Sequence, residues 1–489
     1  MTLSSCKSIL NLVMAKKKKR KPRFVRHREL CIEGIAPGGW GVSGEGRQRV
    51  FVWGALPGDV VDVEVVRRLR GRNEAAVDRV VKRNWQTVEA LCQHFDVCGG
   101  CLWQDLTYAD QCKLKQGIVE FCFRDVGLDP NLIAPVLSNE QDYAYRNKMD
   151  FSFGGTETDT VLGMYVSDTK ISGGRLATVK GQIPRMFGVE HCKLQSDAAN
   201  QIVRLVRDRI QSLNLAPYDI LTQTGVLRSL VIRESAQTGA LLVHFLVAED
   251  CQDSLRCVAD ELVEVLPQIA GVVLSVNSQR SKHAKPGAEV LLVGKGAIQE
   301  SIADVIVNVS PQSFLQVNTP MAETLYGVAL DFADLNGREK VWDLYCGTGS
   351  LSLLLAKHAT KVIGIEVVDS AVADAEINSV QNQAENATFL CGDVLDLLPE
   401  LVEGGERPDV ITVNPPRAGV YRSVVKRICA SKPHKIVYIS CNPQTLARDL
   451  LRFEKGGYQT VAVQPVDMFP HTPHIEVVVK LEKCTNSDR

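Results

Sequence analysis

The last third of the chain constrains the fold most. Four apolar runs, KVWDLYC, KVIGIEV, DVITVNPP and KIVYISCNP, alternate with helix-forming segments between residues 316 and 489. Parallel strands need long crossovers, usually helices, so alternation of this kind predicts an α/β, doubly wound parallel sheet with helices on both faces. Ligands of such sheets lie beyond the carboxyl ends of the strands. The residues just after each run are therefore the ones to inspect.

The chain ahead of this region reads differently. Residues 24–84 hold short strand-like runs (CIEGIA, RVFVWGAL, DVVDVEVVRRL, AAVDRVV) broken by Pro37-Gly38-Gly39 and Pro57-Gly58-Asp59, the pattern of a small β-barrel. Residues 85–315 mix an amphipathic helix, QIVRLVRDRIQSLN, with strands such as LRSLVIRES, GALLVHFLV and GVVLSVN. The division expected is a basic tail (1–23), a barrel (24–84), a central α+β domain (85–315) and the doubly wound domain (316–489). A chain of 489 residues has room for all of them.

Net charge is −1, yet Lys16 to Arg28 carries nine Lys/Arg and no acid. Such a run is a solvated tail, and it can also bind phosphates by releasing their counterions. Residues 1–15 do not read as a secretion signal, because the charges follow the apolar stretch Ile9–Met14; Met14 is an alternative start. No run approaches the roughly 18 apolar residues of a membrane span. Fifteen cysteines, an odd number, without a leader argue for a reducing cytoplasm, where close cysteine spacing points to metal or catalysis. Nothing indicates an obligate protein partner.

Asp343-Leu344-Tyr345-Cys346-Gly347-Thr348-Gly349-Ser350 follows the first strand and opens a helix. A glycine turn there lets a ligand approach the backbone at a helix N-terminus. The next strand ends in Glu366, placed to accept from both ribose hydroxyls of a nucleoside cofactor. Ser352 replaces the third glycine of a dinucleotide loop, which favours S-adenosylmethionine (SAM), a cofactor without pyrophosphate. Asp393, after the following strand, can take the adenine amino group.

The strand Ile436–Ser440 stops at Cys441-Asn442-Pro443, where the chemistry of such a sheet belongs. A following helix N-terminus favours a thiolate. A methyltransferase needs one if the acceptor is a pyrimidine C5, too weak a nucleophile until sulfur adds to C6. The C5 proton must then leave to a base. Glu476, His471 and His474, in MFPHTPHIE, compete for that role. A second constellation, Cys92-x5-Cys98-Gly-Gly-Cys101, puts three thiols on one tight loop; Cys192, Cys112 or Cys122 could complete a tetrahedral set for zinc or an iron–sulfur cluster.

The motifs DLYCGTGS, NPPRAG, SCNPQTLARDL, MFPHTPHIE and SPQSFLQVN resemble the RNA 5-methyluridine methyltransferases, specifically the 23S ribosomal RNA type. The resemblance implies Cys441 as nucleophile and Glu476 as proton acceptor. It also implies a SAM site at Gln316, Tyr345, Gly347, Glu366, Asp393 and Asn414, with Phe314 beside the substrate. It selects Cys92, Cys98, Cys101 and Cys192 as ligands of a [4Fe-4S] cluster. GIAPGGWGV and VFVWGALPGD resemble a TRAM domain, an RNA-binding barrel in which Trp40, Phe51 and Trp53 would stack on bases and Arg67, Arg68, Arg70 and Arg72 hold phosphates. Asn414 departs from the family's usual Asp and loses its negative charge. Asn-Pro-Pro also occurs in amino-group methyltransferases.

A cytosine-C5 enzyme would carry its thiol at the NPPR site, and a radical-SAM methylthiotransferase would show CxxxCxxC; neither is present. A non-catalytic RNA-binding assembly factor and a tRNA-directed enzyme are the remaining alternatives. Members of the tRNA class typically lack the barrel and the cluster, so their presence favours ribosomal RNA.

Overall fold

The computed structural model describes residues 25–69, 72–167, 186–279, 287 and 289–484. The tail through residue 23, Met14 and Arg70 lie outside the described residues.

The first sheet contains β1 (Arg26–Cys31), β2 (Gly34–Ala36), β3 (Trp40–Ser43), β4 (Val50–Trp53), β5 (Val60–Leu69) and β6 (Arg72–Lys82), ordered β1-β5-β6-β4-β3-β2. The chain between its two edge strands ties both ends: Ile32 N–H donates to Asp59 O at 2.9 Å and Glu33 N–H to Val42 O at 2.8 Å. The sheet is thereby barrel-like, wrapped on Ile32, Val50, Val52, Val61, Val63 and Ala75. Phe51 does not offer a face to bases. It is buried, and the Arg72 guanidinium lies 4.4 Å from its ring centroid while pairing with Glu74 at 2.9 Å. Trp40 and Trp53 meet edge to face and stay half-buried.

Helix α1 (Tyr108–Val126) begins at Thr107, whose hydroxyl accepts from Asp110 N–H, and ends at the left-handed Gly127. Although it belongs by sequence to the 85–315 stretch, Val119, Cys122 and Phe123 pack into one core with Trp342, Ile363 and Leu446 of the last third.

The second sheet comprises β7 (Lys148–Thr156), β8 (Asp159–Tyr165), β9 (Met186–Gly188), β10 (Leu227–Glu234), β11 (Leu241–Val247), β12 (Ile269–Val276) and β13 (Glu289–Gly294), ordered β13-β12-β11-β10-β7-β8-β9. Helices α2 (Asp197–Ile210) and α3 (Gln252–Val265) cover one apolar face. A hairpin, β14 (Ile298–Ile302) and β15 (Val305–Val309), then leads to α4 (Thr319–Ala333).

The third sheet contains β16 (Lys340–Leu344), β17 (Lys361–Glu366), β18 (Ala387–Cys391), β19 (Val410–Val413), β20 (Lys435–Ser440), β21 (Tyr458–Val466) and β22 (Glu476–Lys483). Its order is β18-β17-β16-β19-β20-β22-β21, parallel except for β22, which runs antiparallel to both neighbours. Helices α5 (Ser350–Ala356), α6 (Asp369–Gln381), α7 (Val394–Glu403), α8 (Arg422–Ser431) and α9 (Pro443–Lys455) complete the doubly wound layers. The strand order reverses between β16 and β19, and the crevice at such a reversal is the ligand-binding position. Among the described residues no helix is long and apolar enough to cross a membrane.

Candidate active site

The loop after β16 is shaped by left-handed residues: Tyr345, Gly347 and Gly349 have φ of 63°, 57° and 80°. Only glycine adopts this region without cost, so Tyr345 is held there by its surroundings; its N–H and that of Cys346 both donate to Ile365 O. The two glycines differ in purpose. A Cβ on Gly347 would meet nothing within 4 Å, which leaves room for a ligand, whereas one on Gly349 would strike the Phe389 ring at 2.8 Å. Ser352 is more than a missing glycine: its hydroxyl donates to buried Asp343 at 2.6 Å, as does Thr412 from β19 at 2.6 Å. Burial pushes the Asp343 carboxyl up to about 6, against those two hydroxyls.

Glu366 is already busy. One oxygen accepts Gly347 N–H at 3.1 Å; the other accepts Val367 and Val368 N–H at 2.9 and 3.0 Å. A carboxylate offers about four acceptor positions, so one more donor can be taken. A pair of ribose hydroxyls would share the carboxylate with these backbone donors. Asp393 is the exposed N-cap of α7, with one oxygen accepting Leu395 N–H at 2.7 Å. Gln316 is buried, its side chain beside the Tyr326 hydroxyl, while Phe314 is 64% exposed. Half-buried Asn414 is set by its N–H to Leu344 O at 3.2 Å; its side-chain amide has no partner among the described residues and is open to a ligand. Tyr345, Gly347, Glu366, Asp393 and Asn414 stand at the carboxyl ends of β16, β17, β18 and β19, and Phe314 and Gln316 lie in the connection between β15 and α4.

Cys441 and Glu476 meet through strand register. In the antiparallel pair β20–β22, Ser440 stands opposite Val477. One further step sets Cys441 across from Glu476, where side chains of opposed residues are neighbours. Arg417, in the loop after β19, joins them. Its guanidinium lies close enough to stabilise negative charge on both Cys441 and Glu476, and stands 3.3 Å from His474 Nδ1. Its carbonyl is fixed by Asn442 Nδ2 at 3.0 Å and Thr445 Oγ1 at 3.3 Å.

The thiol is tuned differently from the sequence expectation. Burial first, and then the Glu476 charge, push Cys441 upward, and Arg417 opposes them. Asn442, the N-cap of α9, already receives Gln444 N–H at 3.1 Å. The clear thiolate-favouring group is therefore Arg417, a residue inside the NPPRAG motif to which sequence reasoning assigned no role. Glu476 is only 4% exposed, and burial raises it to about 8 although Arg417 pulls the other way. When Glu476 is protonated its effect on the thiol lapses, so the two groups are coupled.

The histidines separate. His474 shares Arg417 and is held neutral, first by crowding and then by that charge. His471 is buried elsewhere: Gln111 holds its ring at 3.1 Å and its N–H at 2.7 Å, and Asp142 lies 3.6 Å from Nε2. It braces the loop.

Cys92, Cys98, Cys101 and Cys192 share one neighbourhood. Burial raises Cys101 to about 12 and Cys192 to about 11, and nearby members of the set add to both. All described cysteines are thiols, not disulfides. Among the described residues, however, no group of three or more His, Cys, Asp or Glu is drawn together closely enough to hold a metal ion. The donor chemistry fits a soft metal or cluster; the spacing is wider than ligation. Cys112 and Cys122, the rival fourth ligands, lie along α1, Cys122 in its apolar core. A cavity of about 650 Å³ opens between α7 and α8, lined by residues such as Leu395, Glu400 and Lys426 and by none of the candidate site residues.

The family model for tRNA (uracil-5-)-methyltransferase matches residues 239–392 and 407–484. An uncharacterized RNA methyltransferase of Bacteroides thetaiotaomicron is 37% identical over 441 residues, 88% of this chain and 96% of that protein. One from Bacillus cereus is 35% identical over 449 residues, 90% of this chain and 94% of the relative. Among solved structures, the Pyrococcus abyssi tRNA (uracil-54, C5)-methyltransferase in complex with S-adenosyl-L-homocysteine superposes with a TM-score of 0.69 at 25% identity. It covers 94% of this chain and 100% of its own. A tRNA enzyme thus matches nearly the whole chain, so length at the front does not separate tRNA from ribosomal RNA as the substrate.

Proposed function

This chain belongs to the uracil-5 family of RNA methyltransferases, and from that premise we propose that Cys441 adds to C6 of a uridine in RNA while SAM methylates C5. SAM dependence and an RNA substrate follow from the family. The residue roles rest on one observation above all: Cys441, Arg417 and Glu476 converge at the ends of β20, β19 and β22.

The Cys441 thiolate, favoured by Arg417, forms the S–C6 bond, and the C5–C6 electron pair moves toward O4. C5 then takes the methyl group, and S-adenosyl-L-homocysteine leaves with the electron pair of the broken sulfonium bond. The Glu476 carboxylate removes the C5 proton; that pair restores C5=C6 as the C6–S bond breaks and thiolate returns. A base near 8 suits this step at near-neutral pH. Gly347, Glu366, Asp393, Gln316, Tyr345 and Asn414 form the cofactor site, with Glu366 taking the ribose hydroxyls and exposed Phe314 facing the substrate.

The four thiols would hold a [4Fe-4S] cluster, or zinc as the alternative, tying together loops about a hundred residues apart. The barrel-like sheet is assigned to RNA binding as a TRAM domain, with half-buried Trp40 and Trp53 as its stacking candidates. The preferred RNA is 23S ribosomal RNA, on the sequence resemblance; the Pyrococcus abyssi likeness favours tRNA as the second reading. Purified protein, labelled SAM and transcripts of both RNAs, digested to nucleosides, decide it. 5-Methyluridine is expected in the ribosomal transcript. Its appearance in tRNA alone would reassign the substrate, and its absence from both would refute the activity.

A further inference from the structure

The connection between β21 and β22, residues 467–475, carries the chain into Glu476. Connecting loops ordinarily run over the surface. Here Asp467, Met468, His471, Thr472 and Ile475 are all buried. Its polar groups are met by one face of α1. Fully buried Lys115 donates to the Asp467 carboxylate and to Phe469 O at 2.8 Å, while Asp467 accepts Phe469 N–H at 3.0 Å. One turn earlier, Gln111 clamps His471 through both backbone and ring. Tyr145 O–H donates to Pro470 O at 3.1 Å, and Leu102 and Trp103 N–H both donate to His471 O.

The buried face of α1 is thus apolar where it meets the sheet (Val119, Cys122, Phe123) and polar only where it meets this loop (Gln111, Lys115). A buried ion pair is a poor device for stability alone, since an apolar pair of similar volume does as well or better. What it supplies is direction: one carboxylate and one carbonyl fix the course of the loop.

We infer that Lys115 and Asp467, with Gln111 on His471, are positioning residues that set Glu476 for removal of the C5 proton. The inference rests on the reading that Glu476 takes that proton.

The test separates the two halves of the reaction. RNA carrying 5-fluorouridine allows attack by Cys441 and methyl transfer but has no C5 proton to lose, so adduct should accumulate. RNA carrying [5-³H]uridine reports proton removal as tritium release. The double variant Lys115→Met/Asp467→Leu exchanges the pair for apolar groups and keeps the helix and strand positions filled. It should form fluorouridine adduct within about threefold of the parent rate and hold its RNA KM, while tritium release falls by about tenfold or more. Gln111→Met, which leaves the ion pair intact, should shift the same ratio in the same direction by less. Equal losses in both assays would make the cluster merely structural, and unchanged tritium release in both variants would remove its role; either overturns the inference. Tritium release at the parent rate by Glu476→Gln would instead overturn the Glu476 reading on which it rests, and failure of the parent protein to form adduct would overturn the Cys441 reading.

Discussion

Cys441 and Glu476 are fixed by a sheet, whereas Cys92, Cys98, Cys101 and Cys192 are fixed by loops. The first pair stands at the open ends of β20 and β22, aligned by ladder hydrogen bonds from Lys435–Glu482 down to Ser440–Val477. The second set depends on side chains that grip the loop backbone: Gln104 accepts Cys92 N–H at 3.1 Å, and Asn200 both accepts Cys192 N–H and donates to Cys192 O. A ladder defines separation without help from a ligand. Loops define a neighbourhood, and a bound cluster would have to close it. The geometry of the Cys441–Glu476 pair is therefore intrinsic to the fold, and the cysteine set is expected to respond to a ligand if one binds.

The largest effect should come from Cys441→Ala. Turnover should fall on the order of 10³-fold or more, with no protein–RNA adduct, while RNA binding stays near the parent value. Glu476→Gln should lower turnover by roughly 10²–10⁴-fold and, unlike the first variant, accumulate adduct visible as a gel shift resistant to denaturant. If the sheet were not what sets this pair, the two variants would look alike.

Arg417→Met comes next, with an expected loss of about tenfold to a hundredfold. Removing its charge leaves burial unopposed on Glu476, and burial together with the Glu476 charge unopposed on Cys441, so the rising limb of the pH–rate profile should move to higher pH; Arg417→Lys should move it less. In the parent protein, activity should rise with pH through about 8 as Glu476 ionises. Stability should run the other way. The folded state holds the Glu476 proton from the ordinary carboxyl value up to about 8, so this contribution is complete at low pH and is lost as pH rises through that window. Glu476→Gln should flatten the decline in chemical denaturation.

Smallest for chemistry, and largest for the cysteine loop, is Cys101→Ser. Iron and labile sulfide should drop in the purified protein and its thermal midpoint should fall, with adduct formation per folded molecule changed by less than about threefold. Full metal content in this variant would break the contrast between the two regions.

Much of the site was legible in the sequence because it lies where strands end. The runs before Tyr345, Glu366, Asp393, Asn414 and Cys441 place those residues on one edge of the sheet once the doubly wound pattern is recognised. What stayed hidden depends on partners far away in sequence. Arg417 is an ordinary residue of a motif until the fold brings Cys441, Glu476 and His474 to it. Lys115 and Asp467 are 352 residues apart, and nothing local marks either as buried. Phe51 sits in the unbroken apolar run VFVW, which does not say which face carries bases, and Arg72 lies over its ring. The N–H groups of Gly347, Val367 and Val368 that Glu366 accepts come from the turn geometry itself, which the sequence does not display.

The most direct measurement maps the covalent bond. Protein, SAM and 5-fluorouridine-containing RNA are incubated, digested with protease and nuclease, and analysed by mass spectrometry. The account predicts one modified peptide, carrying a methylated fluorouridine nucleotide on Cys441. Methylation of ordinary RNA without any such adduct, or an adduct on a different cysteine, would contradict it.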